Sequence, residues 1–472
     1  MQQPLRVIKI IAYIHLTLLS LAINAAKFTP VVKATSAINN FDTSEDQSWV
    51  EFDERLKQMK EIGVNSVATE IWWGVVEKSD NNFDWSYYEK VSNLIIKNGL
   101  KWIPTISFHS CEPSLELNCN ISVPSWIWTK YNNEELALDS NSLKYLDELG
   151  NASVSSVSVW ATQIVLNDYK DFIISFADRF SSIANSIEEI NLGIGPNGEV
   201  RYPKSFSNDD QKIVLNQAHS KLAKQSFINF VKNKYKTIEN ISSVWGNELT
   251  TFENIQTPLS KVLLENNTLL SQYSKDFYEW YNQSLIDHVQ LVVTTAVREL
   301  NKDDSPFKNK PIGTKVPNVP EISKQHRLAE LNAGLIRIDT NYLDANPALS
   351  YTDLIKSFTT IKELTKYQSF NFTYTGLEKS DQNQDGNLTS RAKTLVIAIS
   401  ELSKSNNIPI KGENTSASTL GSNSSWDNMW SAIQNAQYSG LTINRLEKIS
   451  SNPLALDFLN WIIDNTKNET ID

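Results

Sequence analysis

Cysteine is nearly absent: Cys111 and Cys119 are the only two, and five histidines, His15, His109, His219, His288 and His326, are scattered along the chain. This supply excludes a conventional structural zinc site, which gathers Cys and His ligands at close spacing. In an oxidising compartment two cysteines this near each other are expected to pair, and a bridge there clamps a short loop by roughly 2–3 kcal/mol in the chain-entropy account. Positive charge is also short. Against 54 Asp and Glu stand 44 Lys and Arg, a formal net charge of -10. That balance argues against nucleic acid or an anionic membrane as partner and suits a neutral substrate. Beyond the first residues there is no long apolar run, so the mature chain is expected to carry no membrane span, and no low-complexity tract is present. The tail Asn468-Glu469-Thr470-Ile471-Asp472 is neither a retention tetrapeptide nor an apolar anchor signal.

What is present begins with a secretory pattern. Arg6 and Lys9 precede the apolar run Ile10 to Ile23, and small residues follow at Ala22, Ala25 and Ala26. Residues 1–26 therefore read as a signal peptide, and 27–472 as a mature chain that is secreted or held in the lumen of the secretory or endolysosomal pathway. An uncleaved anchor is the alternative, for which the run is short. At 40% hydrophobic and 10% aromatic, 472 residues can bury one large α/β barrel or two to three ordinary domains. Thirteen Trp accompany sixteen Tyr and eighteen Phe. Most of these fill the core, and surplus indole suits stacking on sugar rings. Ten Asn-x-Ser/Thr sequons occur, at Asn120, Asn151, Asn240, Asn266, Asn282, Asn371, Asn387, Asn414, Asn423 and Asn468. Asn is so common here that chance can supply them, so glycosylation stays open.

Strand-like and helix-like segments alternate. The strands read as Phe28–Ala34, Ser66–Ile71, Trp102–Phe108, Glu189–Ile194, Lys310–Gly313, Phe370–Tyr374, Ile408–Lys411 and Leu441–Asn444. Between them lie helical patterns: one after the capping-box form Ser48-Trp49-Val50-Glu51, one capped by Asp84, one over about Val157–Ile183, and longer ones near Gln211–Tyr235 and Leu269–Leu300. Further helices fit Tyr351–Leu364, Arg391–Leu402 and the stretch around Trp426–Ile433. Eight strands with helices between them predict a single TIM-type (β/α)8 barrel with long βα loops. Glu70, His109, Glu199, Lys315, Thr375, Glu413 and Arg445 fall at or just past the downstream ends of seven of these strands, the end at which such barrels place catalysis.

Two of these residues are carboxylates from strands four and seven, which face each other across the barrel mouth. In Leu192-Gly193-Ile194-Gly195-Pro196-Asn197-Gly198-Glu199-Val200-Arg201-Tyr202-Pro203 an apolar strand ends in glycine punctuation followed by one carboxylate and one guanidinium. Taken alone, Glu199 is equally a solvated loop acid paired with Arg201. Together with Glu413 it fits glycosidic hydrolysis, in which a protonated acid donates to the leaving oxygen while an ionised carboxylate activates water or attacks carbon. Trp72 or Trp73 is placed to stack on a ring.

At this point the chain resembles the β-amylases, closest to the bacterial type. The most specific match is Gly195-Pro196-Asn197-Gly198-Glu199-Val200-Arg201-Tyr202-Pro203, which is similar to the family's general-acid segment, with Asn197 where a small residue is usual. Gly412-Glu413-Asn414 is similar to its general-base segment. Phe83-Asp84-Trp85-Ser86-Tyr87-Tyr88 and Val123-Pro124-Ser125-Trp126 also follow the bacterial pattern. The resemblance implies an inverting exo-hydrolase releasing maltose from the non-reducing ends of α-1,4-glucans such as starch, with Glu199 as acid and Glu413 as base. It implies sugar-binding roles for Glu70, His109, Lys315, Thr375, Asn414 and Arg445, and hence an unused sequon at Asn414. It implies one calcium ion held by oxygens of Glu77, Asp80, Asn81, Asp168 and Asp171, which are otherwise solvated surface acids; Asp168 and Asp171 share a helix face. A monomer without a separate starch-binding module is expected, since about 27 residues follow Arg445.

Three departures set this chain apart. The lid segment His109-Ser110-Cys111-Glu112-Pro113-Ser114-Leu115-Glu116-Leu117-Asn118-Cys119 lacks the family's glycines and places Leu117 where an Asp is usual, with Glu116 beside it. Such a lid should be stiffer and lack one sugar contact. Glu70 replaces an Asp, and Pro320-Glu321 replaces a His-Trp pair. A divergent member is expected, one that hydrolyses α-glucan, acts on another glycan, or binds glucan without cleaving it. Asp381-Gln382-Asn383-Gln384-Asp385-Gly386 resembles the start of an EF-hand loop, but Ala392 stands at its twelfth position, so it reads as a turn.

Overall fold

The computed structural model describes residues 28–34, 46–113, 119–133, 138–206, 214–264, 271–321, 328–336, 346–365, 369–384 and 387–467. Eight parallel strands close into a barrel: β1 (Thr29–Ala34), β2 (Ser66–Trp72), β3 (Lys101–Ser107), β4 (Ile190–Gly193), β5 (Ile312–Val316), β6 (Phe370–Thr375), β7 (Ile410–Glu413) and β8 (Gly440–Asn444). Each strand pairs with its neighbours in sequence, and β1 closes on β8 through partners such as Lys33 and Asn444. The connecting helices are α1 (Asp46–Glu61), α2 (Ser86–Lys97), α3 (Thr162–Phe180), α4 (Gln272–Leu300), α5 (Thr352–Leu364), α6 (Ala392–Ser405), α7 (Asn423–Gln434) and α8 (Pro453–Lys467). Shorter helices, Lys221–Tyr235 and Ile238–Trp245 among them, fill the long β4–α4 connection.

Local chemistry accounts for most helix ends. The α2 start is held by Asp84, whose carboxylate accepts from Ser86 N at 3.0 Å, and its end by Gly99 at φ +70°. Asp381 does the same for α6 from outside it, accepting from Thr394 N and Oγ1, while Gln382–Gln384 and Asn387–Ser390 form an antiparallel hairpin beside it. Ser48 behaves otherwise than the capping-box pattern predicts: α1 already begins at Asp46, so Ser48 lies inside its first turn.

Strand β5 runs three residues and β7 two residues further than the apolar pattern suggests, taking in Lys315 and Glu413. Inside a barrel, alternate residues face the axis, so Gly313 and Lys315, Asn371, Thr373 and Thr375, or Lys411 and Glu413 line the interior in layers. The lower layer is polar and built around Glu189, which accepts from Asn191 and Asn371 and forms an ion pair with Lys411. The outer faces pack on the helices. Phe108, Trp73 and Trp85 meet Tyr169, Phe172, Phe176 and Phe180 of α3 through edge and tilted ring contacts.

The expected signal, residues 1–26, lies outside the described residues, as do Glu116 and Leu117 of the lid segment and the sequons at Asn266 and Asn468. Among the described residues no helix is long and apolar enough to cross a membrane.

Candidate active site

A cavity of about 750 Å³ opens where the strands end, and Lys33, Glu70, Trp72, His109, Glu199, Lys315, Thr375, Glu413 and Arg445 all line it. Seven of these side chains are the strand-end residues singled out from the sequence. Trp72, from the same Trp-Trp pair, lines the cavity with its ring 5.0 Å from that of His109. Trp73 is instead buried against Phe108, Trp126 and Tyr169, so it offers no platform to a ligand.

The acid loop is built by tight turns. Gly198 N donates to Gly195 O and Glu199 N to Pro196 O, with Asn197 at φ 60° between them. A Cβ on Gly195 would lie 2.4 Å from the Glu199 carbonyl oxygen, so this path is open only to glycine. Val200 N then donates to Lys315 O, extending the β4–β5 pairing and aiming Glu199 at the mouth. Its carboxylate accepts from Thr375 Oγ1 at 2.9 Å and stands 3.6 Å from Arg201 Nη1.

Glu413 sits opposite, beside two ammoniums. Lys315 Nζ donates to its Oε1 at 2.8 Å, Asn444 Nδ2 donates to the same oxygen at 3.0 Å, and Lys33 Nζ stands 3.8 Å away. Burial opposes its charge, but Lys315 and Lys33 outweigh burial and bring the carboxyl down to about 2. Glu70 is held below the usual carboxylate range in the same way, burial being overcome by Lys33, which donates at 2.6 Å, and by Lys315. Its other oxygen, Oε2, is buried with no protein partner, an acceptor aimed at a ligand. Burial lowers His109 to about 4, so it is neutral at pH 7, with Nδ1 3.4 Å from the Gly193 carbonyl.

Lys33 is the residue that reading the sequence overlooks. It stands at the end of β1, the one strand to which no site residue was assigned, and completes the ring of strand ends. Its signal is the period of two shared with Val31, which places both on the inner face.

Asn414 departs from the expected sugar-binding role. It is wholly buried beneath the cavity, its Oδ1 accepting from Asn444 N and its Nδ2 donating to the carbonyls of Ser416 and Asn444. It thereby braces β8 behind Glu413, and no glycan fits there. Asn371, another sequon residue, is likewise buried and donates to Glu189.

Cys111 and Cys119 form the disulfide, and Cys111 exchanges backbone hydrogen bonds with Ile121 beneath the cavity rim. Of the five oxygen donors expected around calcium, Glu77 accepts from Trp73 Nε1 and Asn81 N, and burial raises it to about 6. Asp80 and Asp168 both accept from Lys130 Nζ, at 2.8 and 2.6 Å. Asn81 donates its side-chain amide to Asp80, and Asp171 is exposed on α3, lining a groove with Phe83 and Trp85.

A parallel (β/α)8 barrel whose mouth brings the carboxylates of Glu70, Glu199 and Glu413, a neutral imidazole, an indole and several paired cations around one polar cavity is the framework of a glycoside hydrolase. Residues 37–466 match glycosyl hydrolase family 14, and the chain belongs to that family. It is 30% identical over 403 residues to the thermophilic beta-amylase of Thermoanaerobacterium thermosulfurigenes, covering 84% of this chain and 68% of that protein. The crystal structure of the catalytic domain of beta-amylase from Paenibacillus polymyxa superposes with a TM-score of 0.78 at 27% identity, covering 94% of this chain and 99% of that one. Over a shorter stretch, 51% of this chain and 46% of the relative, it is also 30% identical to the inactive beta-amylase 4 of Arabidopsis thaliana chloroplasts.

Proposed function

We propose that this chain is an exo-acting hydrolase of α-1,4-glucans that releases β-maltose from non-reducing ends with inversion. Glu199 is the general acid in this reading: it gives its proton to the glycosidic oxygen while Thr375 and Arg201 fix its carboxyl. Glu413 is the general base, taking a proton from the water that attacks the anomeric carbon from the opposite face. Glu70 Oε2, His109 and Arg445 hold sugar hydroxyls, and Trp72 packs against a ring. The observation that carries this reading is that the two carboxylates, on strands β4 and β7, line one cavity. The pattern of residues 1–26 and the Cys111–Cys119 bridge support action outside the cytosol.

A second reading rests on the same lysines. A carboxylate held at about 2 is always ionised near neutral pH but accepts a proton poorly, which favours binding of glucan without cleavage. Incubation with soluble starch, reading product and anomer by NMR, separates the two. β-Maltose supports hydrolysis, and Glu199→Gln and Glu413→Gln should each then lose roughly 10²–10⁴ in kcat. Starch affinity with no product on prolonged incubation rejects the first reading, and an unchanged rate in either variant rejects that residue's role.

A further inference from the structure

Three separate segments meet beside the barrel: the loop after β2 with Glu77, Asp80 and Asn81, the turn Ile127–Lys130, and α3 with Asp168. Six to eight oxygens at one point are what calcium requires. Here five of the six carboxylate oxygens of Glu77, Asp80 and Asp168 are already engaged. Both of Glu77 accept hydrogen bonds, both of Asp168 do so from Lys130 and Tyr131, and Asp80 Oδ1 accepts from Lys130 and Asn81. Among the described residues no group of three or more His, Cys, Asp or Glu side chains is arranged to hold a metal. The cation at the centre of the cluster belongs to the chain itself.

We propose that the Lys130 ammonium takes the place of a calcium ion in this protein, clasping the β2–α2 loop to α3. The geometry is that of a built site. Lys130 Nζ reaches carboxylates from both segments at 2.8 and 2.6 Å and lies 5.0 Å from the Trp126 ring centre, whose π-face favours a cation. Trp126 in turn donates Nε1 to the Glu77 carbonyl at 2.9 Å, so the turn carrying Lys130 is itself anchored to the loop it clasps. A divalent ion entering beside this ammonium would meet like charge at contact distance and carboxylates with most of their oxygens already committed.

The test uses the whole chain and calcium itself. Wild-type protein is stripped with a chelator, and its melting temperature and bound calcium are measured with chelator and with roughly 5 mM CaCl2, above the weak range of extracellular calcium modules. The expected result is no bound calcium and an unchanged melting temperature. One calcium per chain, or a melting temperature that falls on chelation, overturns the proposal. Lys130→Gln, measured in chelator, tests the clasp directly: a fall of about 1–2 °C relative to wild type is expected, with Lys130→Arg recovering most of the loss, and no fall at all overturns the assigned role. Should Lys130→Gln fail to fold, the wild-type arm decides alone.

Discussion

The residue with the largest unassigned effect is Lys33. Its ammonium is buried between Glu70 and Glu413, and although Glu413 keeps Lys315, removing Lys33 takes from the buried Glu70 carboxylate the one ammonium that donates to it. Lys33→Met should therefore cost about 3–5 kcal/mol in unfolding free energy. The double variant Lys33→Met with Glu70→Leu should recover most of that, because the orphaned carboxylate goes with its partner. Urea denaturation of both variants checks this; equal losses in the single and the double variant would show that Glu70 and Lys33 are not coupled. The other strand-end residues could be read from the sequence because each stands at or just past the downstream end of a strand-like run, where the apolar pattern breaks. Lys33 could not, because a lysine closing a short first strand looks like an ordinary strand end, and only its neighbours across the barrel reveal two acids facing it.

At the level of elements, the strand count and order followed from apolar runs broken by glycine and helical periodicity. The ends of β5 and β7 did not. Charged Lys315 and Glu413 look like loop residues in a linear pattern, yet in a closed barrel they belong to the strands and face a polar mouth. The acid loop shows the same dependence on closure. Gly195 is legible as a tight turn, but only the structure shows that a Cβ there would meet the Glu199 and Arg201 carbonyl oxygens at 2.4 and 3.1 Å. Gly195→Ala must then move the backbone that carries Glu199, with no flexible side chain to absorb the clash. A displacement near 1 Å should lower kcat on the cleaved glucan by about 10²-fold, with a smaller effect on KM. Circular dichroism should show a folded barrel, and wild-type turnover in this variant would mean the loop tolerates another path. Lys130 marks the limit of motif reading in the opposite sense: the acids of a cation site were visible, but the lysine lies some fifty residues from one and nearly forty from another.

The whole molecule carries its pH response in buried imidazoles. His109 and His288 are both lowered to about 4 by burial. His288 belongs to α4 and reaches the barrel: its Nε2 donates to the Ile194 carbonyl at 2.9 Å, just before the acid loop, and its Nδ1 stands 2.6 Å from Thr162 Oγ1. In the unfolded chain both histidines take up protons near 6.5, while the folded chain does not until about 4. Between these values the unfolded state binds more protons, so stability falls as pH falls, by about 3 kcal/mol per histidine at pH 4. Glu77, raised to about 6, runs the other way between 4.5 and 6 and offsets part of this loss. The depressed Glu413 adds a second loss at lower pH: its contribution is complete above 4.5 and disappears as pH falls towards about 2. Denaturant midpoints should accordingly drop from pH 7 to pH 4 and keep dropping below it. His288→Leu, which removes one of the two imidazoles, should start lower at pH 7 yet lose less on acidification. If its midpoint fell with pH as steeply as that of the wild type, the imidazole that ties α4 to the acid loop would not be titrating as its burial requires.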